Sequence, residues 1–144
     1  MTNLDERRRP ACETLLLDTC VLIDHLRGYE TAHAWLTEQA TKQDVRFAYS
    51  VITLTELLSG LSASNVGGQQ RDAILALLSM MDLVPVSVSI AVQAAEYVRR
   101  WGKSSGVATP DALIAATAKE TGAVLITRDA GHFPMTDIRV CRPY

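Results

Sequence analysis

Four carboxylates stand at the margins of apolar segments. Asp18 closes "LLLD", Glu56 lies within "TLTELLSG", Asp111 sits just inside "ATPDALIAATA", and Asp129 closes "LITRD". Each has an ordinary local use. Thr53 and Glu56 match the T-x-x-E capping box, and Thr109-Pro110-Asp111 reads as a helix start with an acid against the positive end of the dipole. Asp18 can cap the segment after it, and Asp129 can sit in a turn with Gly131. Capping, however, does not require several acids in one place. Two carboxylates about 4 Å apart repel by about 4 kcal/mol at an effective dielectric of about 20, so a convergent set needs a cation or bound protons. Oxygen ligands without His or Cys suit Mg²⁺ or Mn²⁺ rather than zinc. One such ion polarises a phosphodiester and activates water, and two clamp both the attacking and the leaving oxygen.

The surrounding pattern makes convergence plausible. Short apolar runs at 14–17, 45–50, 83–88, 123–127 and 137–141 read as strands, and Pro85 pushes the third toward a sheet edge. Helical segments are expected at 19–28, 31–42, 53–61, 71–82, 90–101 and 108–118, with Gly28 and Gly122 as stops. A Gly/Ser loop is expected at 102–106, and Val66–Gln69 form the clearest break. Alternating strands and helices without hairpin signals predict an α/β fold, with a mostly parallel sheet of about five strands flanked by helices in three layers. Ligand sites in such sheets form beyond the carboxyl ends of the strands. Asp18 and Asp129 fall there directly, and Glu56 and Asp111 fall in helices expected to start from that edge.

At 144 residues, with 48% hydrophobic and 21% charged residues, the chain suits one domain with a real core. Residues 1–12 read as a solvated, frayed arm and 13–144 as the domain. Arg7–Arg9 do not make an export signal, because Asp18 interrupts the apolar run that follows. Three scattered cysteines, Cys12, Cys20 and Cys141, argue against a disulfide framework or a zinc site and for a reducing, cytoplasmic location. No apolar run is long enough for a membrane span. The net charge of -2 does not advertise a nucleic-acid binder. His25, His33 and His132 read as surface or core residues. No dinucleotide fingerprint, Walker loop or nucleophile elbow occurs.

Together "LLLDTCVLIDHLRG", "TLTELLSG", "TPDALIAATA" and "LITRDAGHF" resemble the PIN-domain ribonucleases, specifically the VapC-type toxins of bacterial type II toxin–antitoxin pairs. The resemblance runs from about residue 14 to 141, and the order and spacing of the four motifs carry it. It implies a PIN-like fold and a catalytic, metal-binding set of Asp18, Glu56, Asp111 and Asp129 around one or two Mg²⁺ or Mn²⁺ ions. Thr127 matches an auxiliary hydroxyl position, whereas Asp24 reads as structural or peripheral. The implied activity is metal-dependent endonucleolytic cleavage of RNA by a cytoplasmic homodimer. The implied partner is a VapB-type antitoxin that blocks the site and carries the DNA binding. Phosphate contacts would then come from Arg27, Arg99, Arg100, Lys103 and Arg128, which are otherwise ordinary solvated positions.

Other classes fit less well. A dehalogenase-like Mg²⁺-dependent phosphatase needs a second Asp two residues after Asp18, where Cys20 stands. A receiver domain needs an acid after the third strand, and "LVPVSVS" has none. A catalytically inactive PIN-fold binding module would not need all four acids.

Overall fold

The computed structural model describes residues 12–61 and 68–144. The arm expected over residues 1–12 falls outside them up to residue 11, as does the part of the Val66–Gln69 break before Gly68. Five strands, β1 (Glu13–Leu17), β2 (Val45–Ser50), β3 (Asp82–Val84), β4 (Val124–Ile126) and β5 (Arg139–Cys141), form one sheet in the order β3-β2-β1-β4-β5. Every pairing is parallel. Six helices connect them: α1 (Thr19–Leu26), α2 (Glu30–Ala40), α3 (Val51–Ser59), α4 (Gln69–Leu78), α5 (Val88–Ser105) and α6 (Thr109–Thr121).

The apolar runs make the layers. Successive strand side chains point to opposite faces, so the "LLL" of β1 feeds two cores at once. Leu16 packs with Ile90, Ala94, Tyr97, Ile114 and Leu125 beneath α5 and α6. Leu15 and Leu17 pack with Val21, Leu22, Leu36, Leu57, Ile74 and Ile126 beneath the other helices. The expected three-layer α/β architecture is therefore present, with β1 at its centre.

Several boundaries differ from expectation, each for a local reason. β3 stops at Val84 because Pro85 has no N–H to give, and the strand lies at the sheet edge. α5 is longer than 90–101 at both ends. Ser87 Oγ accepts from the Ile90 N–H (3.1 Å), and the helix continues through the expected 102–106 loop to Gly106. α4 ends at Leu78, which frees Asp82 for the sheet. α6 ends where expected, because Gly122 takes a positive φ of 68° that a β-carbon would disfavour.

Candidate active site

Asp18 is the residue at which β1 becomes α1. Its backbone N–H bonds the Ile126 carbonyl of β4 (2.9 Å), which fixes it level with the end of that strand. One side-chain oxygen accepts from the Thr19 N–H (2.8 Å) as the N-cap of α1. The other accepts from the Thr127 hydroxyl (2.7 Å), just past β4. That same hydroxyl accepts the Asp129 N–H (3.0 Å). One buried threonine thus couples the loop after β1 to the loop after β4. These two strands are adjacent, and the chain order reverses between them, the place where open parallel sheets hold ligands.

Glu56 reaches the same place differently from expectation. Ser50 caps α3 by accepting from the Ile52 N–H, so Thr53 and Glu56 do not form a capping box. The helix begins earlier because β2 turns directly into it at Val51. Thr53 is instead fully buried, bonded to the Thr19 hydroxyl (3.1 Å), and Thr19 donates to Glu56 Oε1 (2.8 Å). Asp111 lies in the first turn of α6 behind Pro110; Ala108, not Thr109, is the N-cap, and it offers no side-chain bond. His132 Nδ1 stands 3.6 Å from Asp111 Oδ2.

The electrostatics unite the four acids. Burial pushes the Asp111 carboxyl above its ordinary value. The charges of Asp18, Glu56 and Asp129 push it the same way, and His132 only partly opposes them. Asp111 therefore feels all three other acids, as the sequence pattern anticipates. Cys20 is a further neighbour whose thiol donates to Asp18 Oδ2 (3.5 Å). Burial first, then the Asp18 charge, raises its value.

Among the described residues no group of three or more His, Cys, Asp or Glu side chains is placed to hold a metal ion as the side chains stand. Both oxygens of Asp18 and Oε1 of Glu56 accept bonds from hydroxyl or backbone donors. The donor set nonetheless suits a hard divalent cation: carboxylates and a threonine oxygen, partly buried and mutually repelling. Thr19, Thr53, Cys20 and His132 were missed as members of this environment. The threonines looked like helix formers and caps, and His132 gains its neighbour only through the fold.

The basic candidates scatter. Arg27 lines a groove of about 400 Å³ together with Glu56, Ile23, Leu57 and Ile74. Arg128 is bonded to Asp24. Arg99 pairs with Glu96 (2.6 Å), Arg100 lies over the Trp101 ring, and Lys103 follows on the same helix; no described contact joins these three to the acids.

An all-parallel sheet with helices on both faces and carboxylates beyond its switch point defines an α/β protein with an acidic site. The chain belongs to the PIN domain family, whose model matches residues 15–137. Ribonuclease VapC10 of Mycobacterium tuberculosis is 34% identical over 122 residues, 84% of this chain and 86% of that protein. Ribonuclease VapC19 of the same organism is 36% identical over 121 residues, 83% and 92% of the two. A solved toxin–antitoxin complex from Klebsiella pneumoniae contains a chain with TM-score 0.71 and 27% identity, covering 90% of this chain and 98% of that one. No helix among the described residues is long and apolar enough to cross a membrane.

Proposed function

We propose that this chain is a metal-dependent endoribonuclease and the toxin of a toxin–antitoxin pair. The observation that carries the reading is geometric: Thr127 bonds Asp18 and the Asp129 N–H, Thr19 bonds Glu56 from the first position of α1, and Asp111 at the start of α6 feels the charges of all three. The similarity to proteins named ribonucleases supports the substrate class. Asp18, Glu56, Asp111 and Asp129 would hold one or two Mg²⁺ or Mn²⁺ ions. Bound there, a divalent cation would polarise the scissile phosphodiester and ease deprotonation of water. Thr127 holds Asp18 and Asp129 in register, and Thr19 holds Glu56.

A small antitoxin is part of the reading, since the Klebsiella chain was solved in such a complex. The groove is lined by apolar Ile23, Leu57 and Ile74 together with Glu56 and Arg27. That combination suits a partner helix whose Arg fork enters the carboxylates. Promoter DNA would be bound by the antitoxin, which agrees with this chain's net charge of -2. A cytoplasmic homodimer completes the proposal, and the three free thiols agree with a reducing compartment.

The test is cleavage of mixed RNAs by purified chain in Mn²⁺ and in EDTA, with Asp18→Asn beside wild type. The expected result is Mn²⁺-dependent endonucleolytic cleavage that falls about a hundredfold or more in the variant, equivalent to about 3 kcal/mol of transition-state stabilisation. Asparagine caps a helix as well as aspartate, so the fold should survive. Cleavage by folded Asp18→Asn at the wild-type rate would end the nuclease assignment.

A further inference from the structure

Asp24 is the most deeply buried ionisable side chain outside the carboxylate cluster, at 1% exposure, and the proposed mechanism leaves it unused. A carboxylate so far from water costs several kcal/mol unless paired. Its pairing is complete and specific. Arg128 Nη1 lies 3.0 Å from Oδ1 and 2.9 Å from Oδ2, and the Tyr144 hydroxyl donates to Oδ2 at 2.8 Å.

The place of Arg128 gives this pair its meaning. It stands between Thr127, bonded to Asp18, and Asp129, whose N–H bonds Thr127. The segment 127–129 is therefore pinned to α1 at two points: Asp18 at the N-cap, through Thr127, and Asp24 six residues on, through Arg128. Six residues of helix rise about 9 Å, so Asp24 sits well down the flank of α1 from the N-cap. Arg128 is also the chain neighbour of Asp129, and its guanidinium feels the charges of Asp24, Cys20 and Asp129. With 41% of its side chain exposed, it has room to move if released.

We propose that Asp24 is a positioning residue that holds the Arg128 guanidinium on the flank of α1, out of the carboxylate cluster, so that Thr127 and Asp129 stay aligned on Asp18 and the cluster stays open to a divalent cation. The inference rests on the proposed metal site. Without Asp24, a guanidinium freed next to Asp129 becomes an internal counter-ion that competes with the metal at the cluster. The planar head matters as well as the charge, because its one contacting nitrogen, Nη1, spans both Asp24 oxygens and so sets where the segment 127–129 lies.

The test measures Mn²⁺ affinity by calorimetric titration of Mn²⁺ alone into metal-free full-length chain, for wild type, Asp24→Asn and Asp24→Asn/Arg128→Gln. Asp24→Asn should bind Mn²⁺ about tenfold or more weakly, the scale on which the outer-shell partners of a metal act. The double variant, with no cation to release and two amides able to bond each other, should recover to within about threefold of wild type. A merely structural Asp24 predicts no such recovery. Should Asp24→Asn not fold, Arg128→Lys takes its place: it keeps Asp24 and the charge but loses the planar guanidinium that fixes the segment, and should weaken Mn²⁺ several-fold. Unchanged affinity in Asp24→Asn, or in Arg128→Lys where that variant substitutes, overturns the inference, as does a double variant no better than the single one. If wild type itself binds no Mn²⁺, the metal reading falls and this inference with it; if wild type binds and the variants match it, only the inference falls.

Discussion

Thr127 shows how much one side chain can hold. It is fully buried, and its hydroxyl donates to Asp18 and accepts from the Asp129 N–H. Valine has nearly the same shape and neither bond. Thr127→Val should therefore leave a buried carboxylate oxygen and the Asp129 N–H short of partners, at a cost of about 1–3 kcal/mol. It should also lower the cleavage rate more than it changes RNA binding, because it disturbs acid alignment rather than a phosphate contact. Thr127→Ser should restore most of both. Melting curves and steady-state kinetics on the two variants check this, and a serine variant that loses as much as the valine one would show that the hydroxyl bonds do not carry the effect. The family resemblance singles out Thr127 as an auxiliary position. Its bond to Asp18 was not legible, since no pattern in one chain reports a pairing across 109 positions.

At the scale of elements, the helix and strand order was readable because each apolar run carries its own punctuation, Pro85 and Gly122 among them. The misreadings arose where two signals competed. Thr53-x-x-Glu56 satisfies a capping pattern, but Ser50 caps first, and that displaces Glu56 into the second turn. The end of α5 was read as loop from its Gly and Ser residues, yet helix packing carries it to Gly106. α5 is tied to its surroundings by Tyr97, 2% exposed, whose hydroxyl donates to Asp137 (2.8 Å), while Lys119 of α6 bonds the other oxygen (2.8 Å). Burial pushes the Asp137 carboxyl up, but the bonds from Lys119 and Tyr97 outweigh it and leave the value below 3.8. An acid depressed on folding adds stability above its unfolded value and loses it as the pH falls through the folded one. Tyr97→Phe should cost about 1 kcal/mol near neutrality. Its deficit relative to wild type should narrow below the ordinary carboxylate range. Denaturant titrations at neutral and acidic pH measure this, and a deficit independent of pH would separate Tyr97 from the Asp137 charge.

For the whole molecule, the acid cluster sets a trade between stability and function that melting can read. Asp111 has a folded value raised by burial and by the other acids, so its ionised form disfavours the folded state near neutrality. The sign follows: without metal, stability should rise as the pH drops from neutral through that raised value toward the ordinary 3.8. On the proposed reading a divalent cation would remove the same penalty, by binding the folded cluster in preference to the unfolded chain. At ten to one hundred times the dissociation constant that stabilises by about 1.4–2.7 kcal/mol. For a domain of this size the melting temperature should rise by about 3–10 °C. Asp111→Asn should melt above wild type in EDTA, flatten the metal-free pH dependence and shrink the Mn²⁺-induced rise. A helix-start role alone predicts the reverse sign, because losing a negative charge in the first turn of α6 weakens the helix with or without metal. Four melting curves, two proteins in EDTA and in Mn²⁺, therefore separate an acid kept for a cation from one kept for its helix. A variant less stable in EDTA, with an undiminished Mn²⁺ shift, would leave Asp111 serving α6 alone.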